Sequence, residues 1–193
     1  MTQTNINIDR LIQRDRKEYA ALVAAYSNRI YRMALRMTGD EQDAEDVLQE
    51  TFIKVFKNIE GFKGFSSLST WIYRIAMNEA LMLLRKHKPE GYSLDEDNED
   101  EDITPRQIAA WDALPEQKLM SNEISHHLRE AVMRLPETLR SVFLLRDTEE
   151  LSVKETSDAL GISEGTVKVR LLRARLKLRE YLSEYFSEPS LEV

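Results

Sequence analysis

A chain of 193 residues, 42% apolar and 32% charged, with six glycines, five prolines and no cysteine, suits one or two small helical domains. The missing thiols exclude disulfides, cysteine-held zinc and direct thiol redox sensing. A net charge of −7 argues against a nucleic-acid partner only until it is divided along the chain. Residues 89–102 hold eight acidic and no basic side chains, and taking these eight from the net −7 leaves +1. Residues 1–88 alone hold 14 basic against 11 acidic groups. Local sign therefore matters more than the total. The opening MTQTNINIDR lacks the apolar stretch of a secretion signal, and the longest apolar run, Tyr19 to Tyr26, is too short to cross a bilayer. The expectation is a cytoplasmic protein with no direct membrane insertion.

Residues 9 to 88 read as helical. Leu22, Val23, Tyr26, Ile30 and Met33 trace one amphipathic helix, which the Thr38–Gly39–Asp40 break ends. Val47, Leu48, Thr51, Phe52, Val55, Phe56 and Ile59 mark a second, starting near Asp40. A loop with Gly61 and Gly64 precedes a third helix, from about Ser69 to Lys86. The predicted organisation is a first domain over 1–88, an acidic linker over 89–122 and a second helical domain over 123–193. Low hydrophobicity and self-repelling charge predict that the first half of the linker is extended. In the second domain, Pro136 opens a helix running through Val142, Phe143 and Leu145.

Leu151 to Arg179 reads as a helix, a turn at Gly161 and a second helix rich in Lys and Arg, the pattern of a helix-turn-helix. Gly161 can adopt the left-handed conformation that ends the first helix, and Ser163 is a good N-cap for the next. On a helical wheel Val167, Leu171, Ala174 and Leu178 share one stripe, which should face the domain. Lys168, Val169, Leu172 and Arg173 point away from it, near the end where base edges are reached. Arg175 and Arg179 lie further along, better placed for phosphates. From Ser163 to Glu180 there are six basic residues against two acidic ones.

In the first domain, Asp43, Asp46 and Glu50 share a helix face with Gln49 beside them. A metal-dependent hydrolase would need ligands from facing helices, which these residues do not supply. A protein-docking face suits them better. The loop after Ile59 carries Phe62 and Phe65 among small residues, and downstream Arg74, Asn78, Leu81 and Arg85 share a face. Aromatic, cationic and amide groups together suit single-stranded DNA; Trp71 and Ile75 read as ordinary core. An ordinary helix-turn-helix regulator is the competing reading. It would bind duplex DNA alone and leave the acidic face unexplained.

Three motifs in order, DAEDVLQETFIKVF, STWIYRIAMNEAL and LPETLRSVFLLRDTEELSVKETSDALGISEGTVKVRLLRAR, resemble a bacterial RNA polymerase sigma factor of the extracytoplasmic-function (ECF) type, over residues 9 to 183. The resemblance implies an all-α fold of two domains, sigma-2 and sigma-4, joined by a linker in place of a third domain. It implies a non-enzymatic role without metal or cofactor, in which core polymerase is directed to promoter DNA. Asp46, Gln49 and Glu50 would dock on the clamp helices of the largest subunit, and the polymerase flap is a further implied contact. The Phe62, Lys63, Phe65, Ser66 and Ser67 loop, with Arg74 and Asn78, would hold melted −10 DNA. Thr166, Lys168, Val169, Leu172, Arg173 and Arg175 would meet the −35 duplex. The acidic linker would thread toward the polymerase cleft, and an anti-sigma factor is an implied regulator. Four positions depart from the family's usual residues: Phe65 replaces an acidic group, Met82 and Val169 replace small polar ones, and Glu150 replaces a glycine.

Overall fold

The computed structural model describes residues 6–87 and 122–187, of which 122–126 and 184–187 are described by backbone alone. Among the described residues every regular element is helical. Residues 89–121 of the predicted linker lie outside them, and Asn122 already belongs to a helix. The chain divides into two compact units.

The first unit opens with a short helix that periodicity did not reveal, α1 (Ile8–Ile12), with Asn7 as its N-cap and Leu11 fully buried. Arg14, at φ 60°, breaks the chain before α2 (Arg16–Thr38), whose N-cap Asp15 accepts from the Lys17 and Glu18 N–H groups. Gly39 ends α2 at φ 82°, a left-handed cap that costs a glycine nothing. Asp40 then caps α3 (Glu41–Asn58), its carboxylate accepting from Asp43 N–H at 3.0 Å. A 3-10 turn over Ile59–Gly61 and the glycine-containing loop lead to α4 (Leu68–His87).

Helices α2, α3 and α4 pack against one another, with α1 against α2 and the 3-10 turn. Leu22, Ile30, Met33, Val47, Val55 and Ile72 are at most 2% exposed. Each such side chain contributes roughly 1.5–3 kcal/mol of burial. Lys54 on α3 donates to Glu79 on α4 at 2.6 Å, fixing the rotation of the two helices where both keep an outward face.

The second unit holds α5 (Asn122–Arg134), α6 (Glu137–Phe143), α7 (Val153–Leu160) as far as Ser157, and α8 (Glu164–Ser187). Pro136 stands at the N-cap of α6 as expected, but the helix widens after Phe143 into a π-helical turn over Leu144–Thr148. Arg140 is buried and donates to the Met133 and Leu135 carbonyls at 2.5 and 2.9 Å, satisfying acceptors that the end of α5 would leave open. Burial lowers its pKa from the ordinary value, opposed by the Glu137 carboxylate. A guanidinium still keeps its proton there. Arg146 donates to the Leu151 carbonyl across the bend that follows.

At that bend Glu150 sits at φ 58°. The sequence departure from glycine is therefore a residue with a Cβ in left-handed backbone, a conformation that costs about 1–2 kcal/mol outside glycine. Glycine's greater unfolded entropy offsets roughly 0.5–1 kcal/mol of this. Glu150→Gly should accordingly stabilise the second unit by about 0.5–1 kcal/mol. Calorimetric unfolding checks this, and a melting temperature lowered by the glycine would show that the bend carries no strain.

Candidate nucleic-acid interface

The turn between α7 and α8 is held by more than its glycine. Ser152 and Glu155 form a capping box at the start of α7: Glu155 N–H donates to the Ser152 hydroxyl at 3.1 Å, and Ser152 N–H to the Glu155 carboxylate at 2.9 Å. Gly161 takes φ 67°. The Ser157 hydroxyl donates to the Ile162 carbonyl at 2.6 Å, tying the end of α7 to the turn. Ser163 caps α8, accepting from Thr166 N–H at 3.0 Å, with the two hydroxyls 2.8 Å apart. The predicted Ser163 cap is present, and it occupies Thr166 as well.

Along α8 the predicted inner stripe is buried: Val167 and Ala174 fully, Leu178 at 1% and Leu171 at 8% exposed. Lys168 and Val169 stand on the outside, Val169 at 45% exposure. Leu172 and Arg173 are half-buried, and the Arg173 Nε is shielded without a hydrogen-bond partner. The outward face therefore narrows toward Arg173, whose guanidinium leans on protein before it can reach anything else. Arg175 is held in a fork. Its Nε and Nη2 donate to the two Asp147 oxygens at 2.9 and 2.7 Å, joining the π-helical turn to α8. Arg179, further on, is exposed.

In the first unit Asp46 and Gln49 are exposed on α3, and Glu50 is half-exposed. Asp43 does not extend that face. Its carboxylate lies 3.5 Å from His87 at the end of α4. The face continues instead through Ile53 and Phe56, 43% and 40% exposed. Phe56 is one of the periodic positions that mark this helix, and its ring packs edge-on to Tyr19 at 4.9 Å with the Arg14 guanidinium 5.1 Å above it. Burial pushes the Tyr19 hydroxyl up to about 12, and that hydroxyl has no hydrogen-bond partner.

Across the loop, Phe62 is half-buried against Trp71, ring centroids 5.4 Å apart. Phe65 is 92% exposed. Lys63 and Ser67 are exposed and Ser66 half-exposed. The Ser67 hydroxyl accepts from Thr70 N–H at 3.1 Å and so starts α4. From that helix Arg74 and Asn78 point outward on one face, while Trp71 and Ile75 are half-buried. A groove lined by Ile6, Ile8, Ile12, Phe62 and Lys63 runs beside the loop.

Each unit thus carries a helix buried on one side with cations and polar groups on the other. Residues 22–90 match the family model for Sigma-70 region 2, and residues 125–178 that for Sigma-70 region 4. The ECF RNA polymerase sigma factor SigW of Bacillus subtilis is 38% identical over 171 residues, covering 88% of this chain and 91% of the relative. The chain belongs to the ECF family of RNA polymerase sigma factors. The ECF sigma-E factor of Haemophilus influenzae is 34% identical, covering 87% of this chain and 89% of that one. The sigma-H factor of Pseudomonas aeruginosa is 31% identical, covering 94% of each. Among solved structures, CnrH in complex with the cytosolic domain of CnrY superposes with a TM-score of 0.66 at 22% identity, covering 92% of this chain and 95% of that one. The sigma factor RpoE of Bartonella quintana, in complex with the anti-sigma factor NepR, gives 0.63 at 21%, covering 86% and 98%. Both likenesses are of fold. A region 2 match has no place in a stand-alone helix-turn-helix regulator, so this sigma factor is not one. Among the described residues no helix is long and apolar enough to cross a membrane.

The fork between Asp147 and Arg175 sets how α8 meets the turn before it. Replacing Asp147 by Asn and Arg175 by Gln, singly and together, should give a coupling energy of about 1 kcal/mol in urea unfolding. Additive losses would mean the fork contributes no net stability.

Proposed function

We propose that this sigma factor, working in the cytoplasm and without catalysis of its own, loads onto core RNA polymerase and brings it to promoters that its two units read separately. The first unit docks on the clamp helices of the largest subunit through Asp46, Gln49 and Glu50, and the second engages the flap. Lys168, Val169, Leu172 and Arg173 read the −35 duplex, while Thr166 and Arg175, aimed by Ser163 and Asp147, meet its backbone. Phe62, Lys63, Phe65, Ser66, Ser67, Arg74 and Asn78 hold the melted −10 strand. The observation that carries this reading is the pair of region matches on one chain, each falling on an outward polar face over a buried apolar stripe.

Strand opening costs roughly 1–2 kcal/mol of stacking per base-pair step. Capture of a flipped base offsets about a few kcal/mol. The rest comes from multivalency, because polymerase and two DNA elements are held by one chain and each contact raises the effective concentration of the next. The domains 1–88 and 123–193 serve as the two grips, and the acidic stretch 89–122 runs between them toward the basic polymerase cleft, where its eight carboxylates at 89–102 stand in for nucleic acid. The anti-sigma factor NepR, bound to RpoE in the Bartonella quintana structure, supports control of this chain by a protein of the same kind.

Reconstitution with core polymerase tests the whole reading: specific initiation from promoters mapped by their transcription starts is expected. Tight duplex binding by the free chain with no transcripts would overturn it. Asp46→Lys and Glu50→Lys should each lower core affinity at least tenfold with unchanged circular dichroism, since both carboxylates stand outside the packed core. Arg173→Ala should cost about 1–3 kcal/mol of −35 discrimination in competition binding by holoenzyme; undiminished discrimination would assign the reading to another face of α8.

A further inference from the structure

We propose that Met82, on the outer face of α4, is an oxidation site: conversion of its thioether to the sulfoxide by hydrogen peroxide weakens the first unit's hold on single-stranded DNA. This rests on the reading of that unit as the −10 grip and adds a means of regulating it.

The chain has no cysteine, so its sulfur chemistry falls to seven methionines. Met1 and Met120 lie outside the described residues. Of the others, Met33, Met37 and Met77 are fully buried and Met133 is half-buried, whereas Met82 is 45% exposed. A peroxide must touch the sulfur to oxidise it, so exposure sorts these side chains by rate. An apolar side chain in water is ordinary in itself. What distinguishes Met82 is its surroundings. At about 100° per residue, Arg74, Asn78, Met82 and Arg85 fall within an arc of roughly 80°, and the other three are exposed as well. Asn78 stands one turn before Met82 and Arg85 one turn after, the spacings at which side chains on a helix meet. Neither of those two side chains makes a hydrogen bond or an ion pair among the described residues.

The step is the transfer of one oxygen atom. A sulfur lone pair attacks one peroxide oxygen, and the S–O bond forms as the O–O bond breaks. The departing hydroxide takes the proton from the transferred oxygen and leaves as water. Sulfur gives up two electrons, which the peroxide accepts. A weak acceptor thereby becomes a strongly polar one. Its new oxygen offers the Asn78 amide and the Arg85 guanidinium a partner inside the protein, in competition with a base edge or a phosphate. The buried methionines are closed to the peroxide, so the lesion falls on binding and spares the fold.

In the test, the full chain is treated with hydrogen peroxide, the excess is destroyed with catalase, and holoenzyme is assembled with untreated core polymerase. Peptide mass spectrometry should find Met82 oxidised ahead of Met33, Met37 and Met77. The probe is a fluorescent oligonucleotide of the non-template −10 strand from a promoter mapped with the wild-type holoenzyme. Its binding should weaken about fivefold, the equivalent of one hydrogen bond. Methionine sulfoxide reductases A and B, with dithiothreitol as reductant, should restore it. Met82→Leu should bind equally before and after treatment. Met82→Gln, which carries a polar oxygen without any oxidant, should bind as weakly as the oxidised wild type. Met82 oxidising no faster than the buried methionines, or an equal loss in Met82→Leu, would overturn the proposal. A fall in helicity or in core affinity on oxidation would overturn it too, by tracing the weakening to the fold or to α3. If the untreated holoenzyme fails to hold the strand, the −10 reading fails and this inference with it. If the strand is held and oxidation of Met82 leaves the affinity unchanged, only this inference falls.

Discussion

Everything in the second unit follows from one helix having to be core on one side and probe on the other. Val167, Leu171, Ala174 and Leu178 recur at intervals of three and four, and their burial fixes the rotation of α8 about its axis. Lys168 and Val169 are outward only because that stripe is inward. The start of the helix is set as firmly, by the Ser163 cap, the Gly161 turn and the Ser157 hydroxyl on the Ile162 carbonyl. Rotation and starting point together decide which side chains a groove in DNA would meet, before any DNA is present.

The first unit solves a different problem with the same means. Helix α3 must hold Val47, Thr51 and Val55 in the core while leaving Asp46, Gln49 and Glu50 outside, so its acidic outer side is a strip that follows the packing. The strip extends beyond the carboxylates to Ile53 and Phe56. An acidic patch with an apolar end offers steering from a distance and desolvated contact close up. The loop that follows separates rigidity from exposure, with hydrogen bonds at its feet and an uncovered ring at its tip.

Much of this was legible because it depends on local rules. Gly39 and Gly161 stop helices by taking backbone that other residues avoid, and Asp40 and Ser163 start them by accepting free N–H groups. Burial of the α8 stripe needs only a count of residues per turn. What escaped reading depends on neighbours distant in sequence. Asp147 and Arg175 are 28 residues apart, and neither carries a local sign of the other. Phe56 sits on the edge of its helix's apolar arc, where Tyr19 and Arg14 decide how it is covered. Helix α1 has five residues, too few to display a period. The capping box of Ser152 and Glu155 does carry a local signal, the S-x-x-E spacing ahead of Ala159 and Leu160.

The forked pair changes what the charge of α8 is worth. A guanidinium already matched by a carboxylate sheds fewer counterions when it approaches a phosphate, so a count of six cations overstates the helix's grip on arbitrary duplex. On the proposed reading such a chain gains little from the bulk chromosome by itself. It travels with its carrier, and the genome is searched by the assembled enzyme.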